Sequence, residues 1–220
     1  MIDVRIDAGL KNIVLGIALG VVRASVTVAE HDATLWHELD DRIGQIMSQM
    51  RPDTLSELEE VGALRSAYRS IGKDASRYRG SAEALLRRVL QGKALYQVNT
   101  LVDVNNLLSL ETLRSVGSYD FTKVTSPIVL RIGRSGEAFK GIGKDMINIE
   151  GLPVFADNLG PFGSPTSDSE RTKITQETNE VLLILISFTG AQGLAIQTKR
   201  AEALLRTYCA ATLQGTWVFE

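Results

Sequence analysis

The chain has 220 residues, 24 Lys+Arg against 26 Asp+Glu, 44% hydrophobic residues and one cysteine. That length can bury a sizeable core, and a net charge of −2 excludes a protein that grips nucleic acid by overall positive charge, because phosphate binding needs surplus Lys and Arg where the backbone lies. The lone Cys209 excludes an internal disulfide framework and a multi-cysteine metal site, so a reducing, cytoplasmic setting and one domain over residues 1–220 are expected.

The most apolar stretch, Asn12 to Val28, is broken by Gly16, Gly20 and Arg23. It reads as two strands, Ile13 to Ile17 and Val21 to Val28, rather than a membrane anchor, and it lacks the basic lead and small-residue cleavage site of a secretory signal. Ala33 to Met50 has Leu35, Leu39, Ile43, Ile46 and Met50 at spacings of three and four, the pattern of one helical face. Pro52 ends it. Thr54 or Ser56 is the expected cap of a second helix running towards Tyr68, and Ser81 the expected cap of a third carrying Ala84, Leu85, Val89 and Leu90. Leu101 to Leu113 resumes helical spacing. From Tyr119 to Val154, short apolar runs separated by glycine predict an antiparallel meander with a turn at Arg134, Ser135 and Gly136. Residues 160–169, rich in glycine, proline and hydroxyls, are expected to form an exposed loop. The apolar run Val181 to Phe188, interrupted only by Ser187, predicts a central strand buried on both faces, and Gln197 to Thr212 a closing amphipathic helix. Helices in the middle with strands before and after argue for an α+β fold.

Charge is unevenly spread. Residues 31–60 hold eight acids against Arg42 and Arg51, whereas residues 61–93 hold eight bases against Asp74 and Glu83. The basic block reads either as a solvated helical face or as a surface for a polyanion.

Familiar motifs mostly fail. Gly141-Ile142-Gly143-Lys144 lacks the earlier glycine and the following Ser/Thr of a phosphate loop, with Ala138 and Asp145 in those places, so it is expected to be a hairpin turn. His31 and His37, the only histidines, would point to different faces. Cys209 falls on the apolar side of the last helix and reads as core. Two polar clusters remain: Asn99, Asp103, Asn105 and Asn106 at a helix start, which either cap the helix or serve a site, and Asp157-Asn158 followed by Ser169 to Thr175, dense enough in donors and acceptors for a ligand site.

The two clusters carry a resemblance. Val98-Asn99-Thr100-Leu101-Val102-Asp103-Val104-Asn105-Asn106, with Tyr119-Asp120 at fixed distance, resembles the V-D-V-T-N...F-D segment of the B3/B4 domain of the phenylalanyl-tRNA synthetase beta subunit. Tyr68-Arg69-x-x-Gly72 to Tyr78-Arg79, Ser81 and Leu85-Leu86-Arg87-Arg88 are similar to free-standing relatives of that domain. So is Ser169 to Thr175 with Ala156-Asp157-Asn158 before it. The resemblance is strongest over residues 60–190. It implies a single α+β domain with a central, mostly antiparallel sheet flanked by helices, and an editing activity that hydrolyses a mischarged aminoacyl ester rather than a complete tRNA ligase.

On that resemblance Asn106 and Glu170 are the catalytic pair. Asn105, Asp157, Asn158, Ser169, Arg171, Thr172 and Thr175 bind substrate, while Arg77, Arg79, Arg87, Arg88 and Lys173 meet RNA. The expected partner is tRNA or aminoacyl-tRNA, with no metal, cofactor, membrane or DNA. Two departures stand out: Gly117 occupies the place where the synthetase domain usually has a histidine, and Gly160 to Pro165 replaces an Arg- and Trp-rich loop. A non-catalytic tRNA- or RNA-binding module and an amino-acid-binding protein on the same fold are the alternatives.

Overall fold

A computed structural model describes residues 2–220. In chain order the elements are β1 (Val4–Ile6), α1 (Ala8–Ile13), β2 (Ala18–Ser25), α2 (Ala33–Gln49), α3 (Glu59–Ser70), α4 (Ser81–Leu90), α5 (Thr100–Thr112), β3 (Ser115–Asp120), β4 (Ile128–Ile132), β5 (Ala138–Lys140), β6 (Met146–Asn148), β7 (Pro153–Asp157), β8 (Gly160–Gly163), β9 (Glu180–Ser187), α6 (Leu194–Cys209) and β10 (Thr212–Phe219). Short 3-10 turns lie at Leu55–Glu57, Phe121–Lys123 and Glu170–Thr172.

The fold is α+β. One four-stranded sheet, in the order β10-β2-β9-β3, is antiparallel throughout. A second, β1-β4-β7-β8, has one parallel pair, β1 with β4, and is otherwise antiparallel. β9 explains how the layers stack. Its Val181, Leu183 and Leu185 join a core with the helices, including Leu35 of α2, Leu86 of α4, Leu107 of α5 and Leu204 of α6. Its Leu182, Ile184 and Ile186 join a core with Ile128, Leu130, Val154 and Phe162 of the second sheet. A strand that separates two dry cores cannot alternate apolar with polar residues, which is why it reads as an unbroken apolar run. The helices therefore cover one face of the central sheet and the second sheet covers the other.

Several expectations change. Ile13 to Ile17 is not a strand. α1 ends there, having been started by Asp7, whose Oδ1 accepts from the Leu10 N–H at 3.2 Å, and Leu15 is 90% exposed. Gly16 is required by close approach, since a Cβ there would lie 2.4 Å from the Phe188 carbonyl oxygen. The expected second helix starts later, at Glu59, after the 3-10 turn. Ser81 is the first residue of α4, and the capping position belongs to Gly80.

The 119–154 meander is divided. β3 pairs with β9 in the central sheet, whereas β4 and β7 belong to the second. Residues 160–163 are a strand, not an exposed loop, and Phe162 is fully buried. Pro161 is tolerated because β8 is an edge strand, where a missing N–H breaks no ladder. The last helix ends at Cys209 and β10 follows it. Cys209 is buried, and burial pushes its thiol up to about 11, in keeping with a core residue.

α4 is locked by charge. Glu83 is 3% exposed and accepts from Arg65 of α3 at 2.5 and 3.0 Å and from Arg87 at 2.7 Å. Burial pushes its carboxyl up, but the two guanidiniums more than offset this and hold it below the usual carboxylate range. Two of the eight bases in the 61–93 block are therefore engaged inside the fold.

Candidate functional site

Beside the free edge of β3 lies a cavity of about 830 Å³. α4 contributes Ser81, Ala84, Leu85 and Arg88, α5 contributes Val102, Asn105 and Asn106, and β3 contributes Val116 and Ser118. The β5–β6 hairpin supplies Ile142 at its tip, and the segment before β9 supplies Thr166, Asp168, Lys173, Ile174 and Thr175. The walls are mostly apolar with a few convergent polar groups, the usual character of a small-molecule site. Among the described residues no group of three or more His, Cys, Asp or Glu is arranged to hold a metal.

The polar cluster of α5 divides by position. Asn99 caps the helix, its Oδ1 accepting from the Val102 N–H at 2.9 Å. Asp103 is fully buried, with the Trp36 indole N–H donating to its Oδ2 at 2.7 Å. Asn105 and Asn106 reach the cavity. Ser118 Oγ donates to Asn105 Oδ1 at 2.8 Å, which leaves the Asn105 amide NH₂ free to face a ligand.

The cavity's one acid is Asp168. Tyr119 OH donates to its Oδ1 at 2.9 Å. Asp168 is half-buried and lines the cavity. Burial raises it and the Tyr119 hydrogen bond only partly counters this, leaving it at about 7. The same burial, with the Asp168 charge beside it, raises the Tyr119 phenol, so it remains a proton donor at neutral pH.

Tyr119 is fixed on both sides. A Cβ added at Gly117 or at Gly163 would lie 2.3 Å from the Tyr119 hydroxyl oxygen. Its ring packs edge-on against Phe162, centroids 4.9 Å apart. The glycine at 117 thus makes room for a phenol that presents itself to Asp168. Gly117→Ala is expected to cost about 1–3 kcal/mol through overpacking, readable by urea denaturation. A variant as stable as the parent would show that Tyr119 is not confined there.

The other sequence-predicted site residues lie as follows. Thr175 and Lys173 line the cavity, as does Arg88. Glu170 lines a neighbouring cleft of about 480 Å³ with Lys140, Lys144 and Lys173, sharing only Ile142 and Lys173 with the main cavity. It pairs with Lys173, which holds its carboxyl below the usual range. Asn106 and Glu170 therefore face adjoining spaces rather than one.

Asp157 and Arg171 bind each other, Nη2 to Oδ1 at 2.9 Å and Nη1 to Oδ2 at 3.1 Å. Arg171 also donates to the carbonyls of Lys123 and Gly160, while the Asp157 carboxylate accepts from the N–H groups of Thr125 and Leu159. Asn158 donates to the Ser126 carbonyl. Ser169 caps the 3-10 turn, and Thr172 Oγ1 donates to the Phe162 carbonyl from a buried position. These five residues are outside the main cavity and each is tied to the fold by a hydrogen bond, while Asp157 and the exposed Asn158 line a separate cleft of about 490 Å³. Arg87 is on Glu83, while Arg77 and Arg79 are exposed beyond the start of α4.

Asp168 itself was missed by sequence reasoning. It stands in the run Ser164-Pro165-Thr166-Ser167-Asp168-Ser169, which has the composition of a surface loop, and its partner Tyr119 is 49 positions away. The segment is held inward by backbone bonds: Ile142 N–H donates to the Asp168 carbonyl at 3.2 Å, and Ser169 N–H donates to the Phe162 carbonyl at 2.9 Å. The hairpin tip that bears Ile142 is the turn expected at Gly141 to Lys144, with Gly143 at φ +62°.

An α+β domain with a mostly apolar, ligand-sized cavity at the edge of its central sheet is the class this arrangement defines. The sequence model of the B3/4 domain matches residues 63–213, and the chain belongs to that family. Over 106 residues the chain is 29% identical to the phenylalanine–tRNA ligase beta subunit of Paramagnetospirillum magneticum, a match covering 47% of this chain and 13% of that subunit. Over 107 residues it is 25% identical to the corresponding subunit of Symbiobacterium thermophilum, covering 47% and 12%. The matches thus take in only a small part of these relatives' length. An N-terminal fragment of the phenylalanyl-tRNA synthetase beta subunit from Pyrococcus horikoshii superposes with a TM-score of 0.45 at 17% identity, covering 96% of this chain and 50% of the fragment. No helix among the described residues is long and apolar enough to cross a membrane.

Proposed function

We propose that the cavity receives the aminoacyl end of a charged tRNA and hydrolyses the ester. The observation that carries this reading is Asp168, a carboxyl near neutrality in a mostly apolar cavity, hydrogen-bonded by a tyrosine that keeps its own proton. A general base works best when it titrates near the operating pH. In the reaction, the Asp168 carboxylate takes a proton from water as the water oxygen bonds to the ester carbonyl carbon. The bond from that carbon to the ribose oxygen then breaks, and the proton passes to the leaving oxygen, giving a free amino acid and an uncharged tRNA. The amides of Asn105 and Asn106 are the donors available to the ester carbonyl. An aminoacyl ester is already activated, so positioning water beside it supplies much of the acceleration. Membership of the B3/4 family and the partial likeness to tRNA-ligase beta subunits support a charged tRNA as the substrate.

The test is a panel of tRNAs, each carrying a correct or an incorrect amino acid, followed by release of free amino acid. Hydrolysis of at least one, lost in Asp168→Asn and retained in Glu170→Ala, is expected. No release from any of them would sink the hydrolytic reading. Release that survives Asp168→Asn and disappears with Glu170→Ala would move the chemistry to the neighbouring cleft.

A further inference from the structure

Two buried glycines on facing sheets serve one side chain. Gly117 lies on β3 of the central sheet and Gly163 on β8 of the second. Neither has a positive φ, so neither is needed for the course of the backbone, and what each supplies is room. A Cβ at Gly117 would lie 2.9 Å from Tyr119 Cε2, and one at Gly163 would lie 2.6 Å from Tyr119 Cε1. The glycines therefore flank opposite edges of one ring. Phe155 and Phe162 wall the same slot edge-on, their centroids 6.0 and 4.9 Å from that of Tyr119.

The hydroxyl end of the ring lies towards the main cavity, since it donates to Asp168, which lines that cavity and is bridged through its backbone to Gly163. Tyr119 itself is fully buried and does not line the cavity. A ligand side chain that passed Asp168 would thus meet the tyrosine end-on. No aromatic residue lines the main cavity, whose apolar wall is aliphatic, from Leu85, Val102, Val116 and Ile174.

We infer that the space Tyr119 fills is an aryl side pocket of the main cavity, closed by the chain's own tyrosine, and that Tyr119 is thereby the residue that sets which acyl side chain the cavity accepts. With the ring in place, an acyl side chain is confined to the aliphatic wall, so aliphatic aminoacyl groups are preferred to aromatic ones. Without it, an aromatic ring passes Asp168 into the slot and packs edge-on against Phe155 and Phe162, an arrangement that adds to the area buried, while its carbonyl stays beside the acid. The inference deepens the proposed function and rests on it for the nature of the ligand.

The experiment compares the parent with Tyr119→Ala, using adenosine that carries a leucyl or a phenylalanyl group through an amide, which binds without being cleaved. The parent is expected to bind the leucyl analogue more tightly. In Tyr119→Ala the affinity ratio should shift towards the phenylalanyl analogue by about tenfold or more, the scale of discrimination that an apolar pocket provides. Tyr119→Phe, which keeps the ring and loses only the hydroxyl, should keep the parent's ratio. Tyr119→Leu, whose side chain leaves part of the slot open, carries the same comparison if Tyr119→Ala does not fold. p-Cresol, the group that Tyr119→Ala removes, tests the space by itself, because an apolar cavity cut into a core holds an aromatic of matching size. It is expected to raise the melting temperature of Tyr119→Ala by about 3 °C or more at about ten times its Kd, and not that of the parent. An unchanged ratio in the folded variant overturns the inference. So does an equal shift in Tyr119→Phe, which would trace the preference to the hydroxyl, and so does a variant that p-cresol leaves unstabilised, since the slot has then collapsed. Stabilisation by p-cresol with neither analogue bound by either protein sinks the aminoacyl reading alone.

Discussion

Asp168→Asn is expected to lower ester hydrolysis by about 10²–10⁴-fold, the usual contribution of a positioned general base, and at the same time to raise thermal stability at pH 8. Asparagine keeps an oxygen to accept from Tyr119 but has no charge to bury. The carboxyl has an ordinary value of 3.8 and is at about 7 in the fold. A raised acid makes the native state hold a proton that the unfolded chain has released. The resulting penalty on folding is absent below the unfolded value, grows as pH rises towards 7, and is complete above it. Its upper bound is about 4 kcal/mol. The variant should therefore gain more in melting temperature over the parent at pH 8 than at pH 5. An equal gain at both, or unaltered turnover, would remove Asp168 from the role of base. The parent's kcat should rise with pH through a limb near 7.

Glu83→Ala is expected to cost about 3–5 kcal/mol, the range for removing one partner of a buried ion pair. Stabilities of whole domains are about 5–15 kcal/mol, so much of the chain's margin would go with it. Both Arg65 and Arg87 lose their acceptor, with side chains only 19% and 29% exposed. The Glu83 carboxyl is held below its ordinary value, so its contribution is present above the unfolded value and is lost as pH falls through the folded one. The parent's stability should consequently fall more steeply in acid than that of the variant. Urea denaturation at pH 7 and pH 4 reads both effects. Replacing Glu83, Arg65 and Arg87 together by apolar residues should recover part of the loss, because no unpaired charge is then left behind. A cost below about 1 kcal/mol for Glu83→Ala would mean the cluster behaves as a surface ion pair.

The parts of the fold that the sequence made legible are those whose burial is one-sided or complete over a long run. α2 and α5 showed their faces through spacing, and β9 showed its position through the absence of any polar residue from Val181 to Ile186. The strands β8 and β10 were hidden for a different reason. In β8, glycine and proline usually mark a turn, but here Gly163 clears space for Tyr119, and Pro161 sits where no ladder bond is needed. In β10, a bulge between Leu213 and Gly215 shifts the register and breaks the alternation that would have marked a strand.

The α5 lining of the cavity was legible, because Asn105 and Asn106 stand out as a polar cluster in an otherwise apolar segment that carries the resemblance. The rest was not. Asp157, Arg171 and Thr172 have the polar density of a binding site, yet that density is used to fasten the 3-10 turn at Glu170–Thr172 to the β7–β8 corner. Composition counts donors and acceptors; it does not show whether they are already matched to each other. Asp168 is the converse, a single acid whose carboxyl is raised only by surroundings assembled from distant parts of the chain.

The hydrogen bond from the Ile142 N–H to the Asp168 backbone carbonyl joins the rim of the main cavity to the residue that carries its one acid. Ile142 belongs to a short hairpin whose Lys144 also borders the Glu170 cleft. That hairpin is fastened from below, with Phe139 buried in the second core and Gly141 bridged to Ser169. A substitution that displaced its tip would therefore shift the backbone of the cavity's acid together with the rim.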